Sequence, residues 1–133
     1  MSAPFDAVAL LQKAAQAGKL AYAPYSNYQV GAALLTESGE IFVGCNVENA
    51  SFGLTICAER TAVFKAVSEG HTQFCALAIS ASNEAFPCGC CRQVLNEFAP
   101  RLPLLIGDKD GNLLHKTQLD ILLPNAFGPH NLR

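Results

Sequence analysis

Two short stretches of this chain bring together residue types that can do metal-assisted chemistry. Cys57-Ala58-Glu59-Arg60 sets a thiol and a carboxylate two residues apart, and Pro87-Cys88-Gly89-Cys90-Cys91 sets two further thiols at i and i+3. Each stretch is expected to open a helix. There Cys88 and Cys91 lie on one side of the first turn. Cys90 points about 100° away from Cys91 around the helix axis, so it is expected to pack as a small apolar residue. Three thiolates, from Cys57, Cys88 and Cys91, fill three corners of a tetrahedral Zn²⁺ and leave the fourth for water. A carboxylate beside that water and not on the metal, here Glu59, is what hydrolytic proton transfer needs. The free N–H groups and dipoles of two helix N-termini favour thiolate over thiol. Arg60 is expected to donate to the sulfurs from behind and offset part of their charge.

The surrounding pattern indicates how those two helix starts are held. Apolar residues Ala7, Val8, Leu11, Ala14 and Ala15 predict a first helix over 4–19, ending near Gly18. A loop with three tyrosines, Tyr22, Tyr25 and Tyr28, follows. Residues 29–36 and 41–47 read as a hairpin turned by Glu37-Ser38-Gly39-Glu40. Gly31, Ala32 and Ala33 on its first strand predict that something packs closely there. The first site helix spans 56–69, with Ala62, Val63, Ala66 and Val67 as its buried stripe. The apolar run 74–82 reads as a buried central strand, and the second site helix continues to Phe98. Strands at 104–107 and 113–115 are joined by a turn, and Thr117 is expected to cap a last helix over 118–122. The order predicts an α/β fold of three α/β/α layers, a mixed five-stranded sheet flanked by helices, in one domain spanning 1–133. Strand–helix–strand crossovers are expected to be right-handed and largely parallel.

Composition excludes several function classes. Half the residues are hydrophobic and 15% charged, too apolar for a disordered chain. The net charge of −2 carries no basic track, so no nucleic-acid partner is expected. No apolar run reaches the ~20 residues of a membrane span, and the N-terminus lacks a secretory leader pattern. The expected location is the cytoplasm. There six cysteines argue for metal or catalytic use rather than disulfides. Cys45 and Cys75, in apolar strand runs, read as core. His71, His115 and His130 read as solvent-facing.

The chain resembles the small cytidine deaminases, a family of zinc deaminases. The likeness rests on Thr55-Ile56-Cys57-Ala58-Glu59-Arg60-Thr61-Ala62 and on Pro87-Cys88-Gly89-Cys90-Cys91-Arg92-Gln93-Val94. It continues through Tyr25-Ser26-Asn27-Tyr28-Gln29-Val30-Gly31-Ala32-Ala33-Leu34, Gly44-Cys45-Asn46-Val47-Glu48-Asn49-Ala50 and Leu122-Leu123-Pro124-Asn125-Ala126-Phe127-Gly128-Pro129, and covers nearly everything from Leu20 onward. A cysteine as first ligand, in place of histidine, is similar to the homotetrameric branch. The resemblance implies one Zn²⁺ per chain and hydrolytic deamination of cytidine and 2′-deoxycytidine, with Glu59 moving the protons. It also implies a homotetramer whose sites are completed by neighbouring subunits. Asn46 and Glu48 match the pair that binds the ribose hydroxyls, a role that suits an amide and a carboxylate facing one side at a strand end. Tyr28 matches an aromatic that packs on the pyrimidine, where relatives often carry Phe. Phe127 matches an aromatic that reaches a neighbour's site. The Ala58 backbone and the Phe86-Pro87 loop match contacts to the exocyclic amine or ring N3.

Three other readings stand beside this one. A deaminase for another aminopyrimidine nucleoside, such as a nucleoside antibiotic, fits the metal motifs but makes less use of Asn46 and Glu48. A structural zinc module would normally be closed by four protein ligands and would leave Glu59 unexplained. A redox pair at Cys88 and Cys91 would not need a third thiol upstream.

Overall fold

A computed structural model describes residues 5–133. The first helix, α1 (Ala7–Gly18), begins where the Asp6 carboxylate accepts a hydrogen bond from the Ala9 N–H (3.0 Å). The expected start at residue 4 lies outside the described residues. Its buried face is Leu10, Leu11, Ala14, Ala15 and Ala17, and Val8, expected on that face, is exposed. Strands β1 (Gly31–Thr36) and β2 (Ile41–Cys45) form the expected hairpin, antiparallel with Ala33 opposite Val43. Helix α2 (Ala58–Ser68) leads to β3 (Phe74–Ser80), which is buried along its whole length. Helix α3 (Gly89–Phe98) leads to β4 (Pro103–Gly107), and β5 (Leu113–Gln118) runs into the short α4 (Leu119–Leu122).

The five strands form one mixed sheet in the order β2-β1-β3-β4-β5. The β3–β4 pair, joined through α3, is parallel, and the other neighbours are antiparallel. Because β2 and β3 both run antiparallel to β1, the α2 crossover also links two strands of the same direction. The sheet separates two cores. On one face Ala62, Val63 and Ala66 of α2, Leu95 of α3 and Leu119 of α4 pack on Leu34, Leu77, Ile79, Leu104 and Ile106. On the other, Leu10, Leu11 and Ala14 of α1 pack on Ala33, Ala78 and Leu105. This is the three-layer arrangement the element order predicts.

Four sequence expectations are corrected. Thr117 does not cap α4. It pairs with Leu104 inside β5, which runs on to Gln118 because the ladder to β4 supplies its hydrogen bonds. Cys90 is exposed and does not pack as an apolar residue, since its part of the first α3 turn faces away from the sheet. Cys45 is half-buried at the end of an edge strand and not fully in the core. His71 is half-buried and not solvent-facing, with Nε2 3.3 Å from Glu40 Oε1 and its ring against Phe42.

Two glycines set the layer spacing. A side chain at Gly31 would run into the backbone of Ala14 and Gly18, so α1 lies directly on β1. A Cβ at Gly44 would come 2.5 Å from the Ala58 carbonyl oxygen and 2.6 Å from the Ala62 nitrogen. The first turn of α2, which carries the site residues, is seated on β2 by that missing side chain.

Candidate active site

The N-termini of α2 and α3 follow the carboxyl ends of β2 and β3, and they converge there. Open α/β sheets place their ligand sites at these strand ends. Cys57 is the N-cap residue of α2 and Cys88 the N-cap residue of α3, both with extended backbone and neither making a side-chain cap bond. Cys91 sits three residues into the same motif, so the geometry by which an N-cap side chain reaches its own first turn brings the two sulfurs to 3.5 Å. Cys57 Sγ lies 3.9 Å from Cys88 Sγ, and all three ligand atoms lie within 4.8 Å of one another. A tetrahedral ion with Zn–S bonds of about 2.3 Å needs sulfurs about 3.8 Å apart, close to the 3.5 and 3.9 Å separations here, so the trio suits Zn²⁺.

The electrostatics agree with that fit. Hydrogen bonding with Cys91, then with Arg60, pulls the Cys57 thiol down to about 5 against the burial that opposes it. The hydrogen bond with Cys57, and then burial, push Cys91 up. Three clustered thiols are a place a dication can occupy, since metal binding displaces thiol protons. Arg60 Nη2 donates to Cys57 Sγ at 3.3 Å, as expected of it, and this contact raises the guanidinium's own pKa. Arg60 Nε is buried without a hydrogen-bond partner among the described residues.

Glu59, in the first turn of α2, is 5% exposed. Burial raises its carboxyl to about 7, with the Cys57 charge adding to the rise and its own backbone N–H and Arg60 opposing it. A carboxyl poised near neutrality suits proton transfer in either direction.

A cavity of about 250 Å³ opens over these groups, lined among others by Tyr28, Asn46, Glu48, Cys57, Ala58, Glu59 and Cys88. That is near the lower end of the ~300–1,000 Å³ of small-molecule sites. A larger cavity of about 490 Å³ lies between Gln73, Phe98 and Arg101, but no thiol lines it, so the chemistry belongs to the smaller one. Asn46 and Glu48 are brought to the same wall, and each also holds the loop ahead of β1. Asn46 Oδ1 accepts from the Val30 N–H (2.8 Å) and its Nδ2 donates to the Tyr28 carbonyl (2.8 Å). Glu48 accepts from the Tyr25 and Ser26 N–H groups (2.9 and 3.2 Å) and from the Ser26 hydroxyl. The Ser26 hydroxyl, then those two amides, hold the Glu48 carboxyl below its ordinary value. Tyr28 donates its hydroxyl proton to Asn83 Oδ1 (2.6 Å). Burial and the nearby Glu59 charge raise its pKa, so it keeps that proton.

Phe127 does not line the cavity of its own chain. The residue is 61% exposed, and its carbonyl accepts from Gln93 Nε2 (2.8 Å) and Asn96 Nδ2 (3.2 Å). Sequence reasoning missed Ser26, Thr55 and Ile79 as lining residues. It also missed Arg92, whose Nε donates to the Pro87 carbonyl (2.6 Å) and Nη1 to that of Leu122 (2.9 Å). Ser26 and Arg92 stand inside the quoted motifs, which was the available signal. Ile79 carried none beyond its place in an apolar strand.

Residues 6–104 match the model of the cytidine and deoxycytidylate deaminase zinc-binding region. The cytidine deaminase of Sporosarcina psychrophila is 45% identical over 130 residues, covering 96% of this chain and 95% of its own. That of Halalkalibacterium halodurans is 47% identical over 125 residues, covering 92% and 94%. The crystal structure of the Burkholderia pseudomallei cytidine deaminase superposes with a TM-score of 0.87 at 45% identity, covering 92% of this chain and all of that one. With a cysteine trio that fits zinc, a buried carboxyl beside it and likeness of this extent, the chain belongs to the cytidine and deoxycytidylate deaminase family of zinc-dependent enzymes.

Proposed function

We propose that this chain catalyses the hydrolytic deamination of cytidine and 2′-deoxycytidine to uridine and deoxyuridine, releasing ammonia and serving pyrimidine salvage. The observation that carries the reading is the convergence of Cys57, Cys88 and Cys91 at a small cavity whose wall also holds the buried Glu59 carboxyl. Cys57, Cys88 and Cys91 would hold Zn²⁺, whose chemistry when bound is to make water nucleophilic near neutral pH. Glu59 takes a proton from the attacking water and hands it to ring N3 as the oxygen adds to C4. It then carries a second proton to the departing amine, so that water is consumed and ammonia leaves. Arg60 restrains the charge on the trio through Cys57. Tyr28 and Phe86 supply apolar walls for the pyrimidine, and the Ala58 backbone borders the reacting edge. Asn46, with one amide hydrogen left over, and Glu48, with carboxylate lone pairs left over, suit the ribose hydroxyls.

A homotetramer with shared sites is part of the same reading. Its support is the largely exposed Phe127, together with exposed Tyr25 and Phe52 next to the cavity residues Ser26, Glu48 and Thr55. No described helix is long and apolar enough to cross a membrane. A cytoplasmic location suits thiols that must stay reduced to bind zinc.

Ammonia release from cytidine, with and without a chelator, tests the reading. Turnover that chelation abolishes and added zinc restores is the expected result. Zinc-loaded protein inert toward both nucleosides would refute it.

A further inference from the structure

Two loops contribute to the lining of the cavity. Residues 23–30 bring Ser26 and Tyr28 to one wall, and residues 81–88 bring Ala85 and Phe86 to the other before reaching Cys88. Each loop is fastened to its own base. Glu48 and Asn46 hold the first through Tyr25, Ser26, Tyr28 and Val30, and Arg92 holds the second through Pro87. The bond from Tyr28 Oη to Asn83 Oδ1 is different, because it joins one loop to the other. Among the described residues no second hydrogen bond joins these two stretches. At 2.6 Å it is short for a hydroxyl donor. Asn83 is exposed, so no buried amide forces the contact. A phenylalanine ring would fill the same wall without it.

We propose that the Tyr28–Asn83 hydrogen bond is a clasp that fixes the spacing of the cavity walls and so sets how tightly nucleoside is held. This rests on the cytidine-deaminating reading above. Asn83 is a positioning residue in this role, and the Tyr28 hydroxyl acts through it and not on the substrate. Walls already spaced for the ligand need no ordering when it enters, and loss of that preorganisation weakens binding.

The test compares zinc-loaded wild type, Tyr28→Phe, Asn83→Ala and the double variant. Uridine affinity is measured by calorimetry, steady-state kinetics on cytidine, and amide hydrogen exchange over residues 81–88. Each single variant is expected to weaken uridine binding and raise KM about fivefold, the scale of one hydrogen bond, with a smaller fall in kcat. The double variant should be no worse than either single, and exchange in the loop should quicken in all three. Unchanged affinity and KM, or effects that multiply in the double variant, would overturn the clasp. A wild type that turns over cytidine while the variants match it removes the clasp alone, whereas a wild type inert toward cytidine removes the reading beneath it.

Discussion

Cys57, Cys88 and Cys91 differ in burial, and that difference bears on how each would respond to substitution. Cys91 is fully buried, Cys57 half-buried and Cys88 exposed. Cys88→Ser therefore removes a ligand with the least disturbance of packing. It is expected to drop zinc content from one per chain to under about a tenth, since oxygen is a poorer partner than thiolate in such a site. Metal analysis of the folded variant checks this, and full zinc occupancy would contradict it. Glu48 gives a pH dependence whose sign can be worked out. Hydrogen bonds to its charged form, the Ser26 hydroxyl first, place its folded-state pKa below the ordinary 4.5. The anchoring of residues 25 and 26 is thus intact above about pH 4.5 and lost as pH falls through the depressed value. Uridine affinity is expected to fall with acidification over that window in wild type. In Glu48→Gln it should be weaker at neutral pH and free of this component. At this scale the sequence exposed the cysteine trio and the Glu59 beside it, because their types and spacing point to chemistry directly. It did not expose Asn83, which meets Tyr28 across 55 residues of chain through an exposed side chain with no pattern of its own.

The two helix starts work as a unit because the elements beneath them fix their approach. Gly44 is the sharpest case. An added methyl meets backbone atoms of α2 at about van der Waals overlap, and backbone cannot swing aside as a side-chain tip can. Gly44→Ala is expected to cost about 1–3 kcal/mol of stability, the range for overpacking. It should also lower kcat/KM at temperatures where the variant is fully folded, since Cys57 and Glu59 shift with Ala58. Denaturant unfolding with parallel kinetics checks both, and a variant of wild-type stability and activity would contradict the seating of α2 on β2. Turn residues made the hairpin legible from the sequence, an unbroken apolar run the buried β3, and helical spacing the site helices. The end of β5 was not, because Thr117 is as good a cap as it is a strand residue. Only pairing with Leu104, an interaction between distant segments, decides between them. Cys90 was misjudged for the related reason that helix geometry gives direction relative to a neighbour but not what lies there.

For the molecule as a whole, Tyr25 and Phe52 are exposed next to the cavity residues Ser26, Glu48 and Thr55, and Phe127 is largely exposed. Light scattering is expected to give four chain masses. Phe127→Ala, already exposed in the single chain, should keep that mass while raising KM for cytidine several-fold. A monomeric wild type, or a variant with unchanged KM, would contradict shared sites. Layer order, strand count and the position of the site at the strand ends were legible from the succession of elements. The central claim is that three thiols hold one zinc beside a carboxyl that moves protons for deamination. Its most direct test measures zinc and cytidine turnover on the same preparations of wild type and Glu59→Gln. One zinc per chain in both, with turnover reduced at least about a hundredfold in the variant, is the predicted result. A zinc-free but active wild type, or a Glu59→Gln enzyme that deaminates cytidine at the wild-type rate, would contradict it.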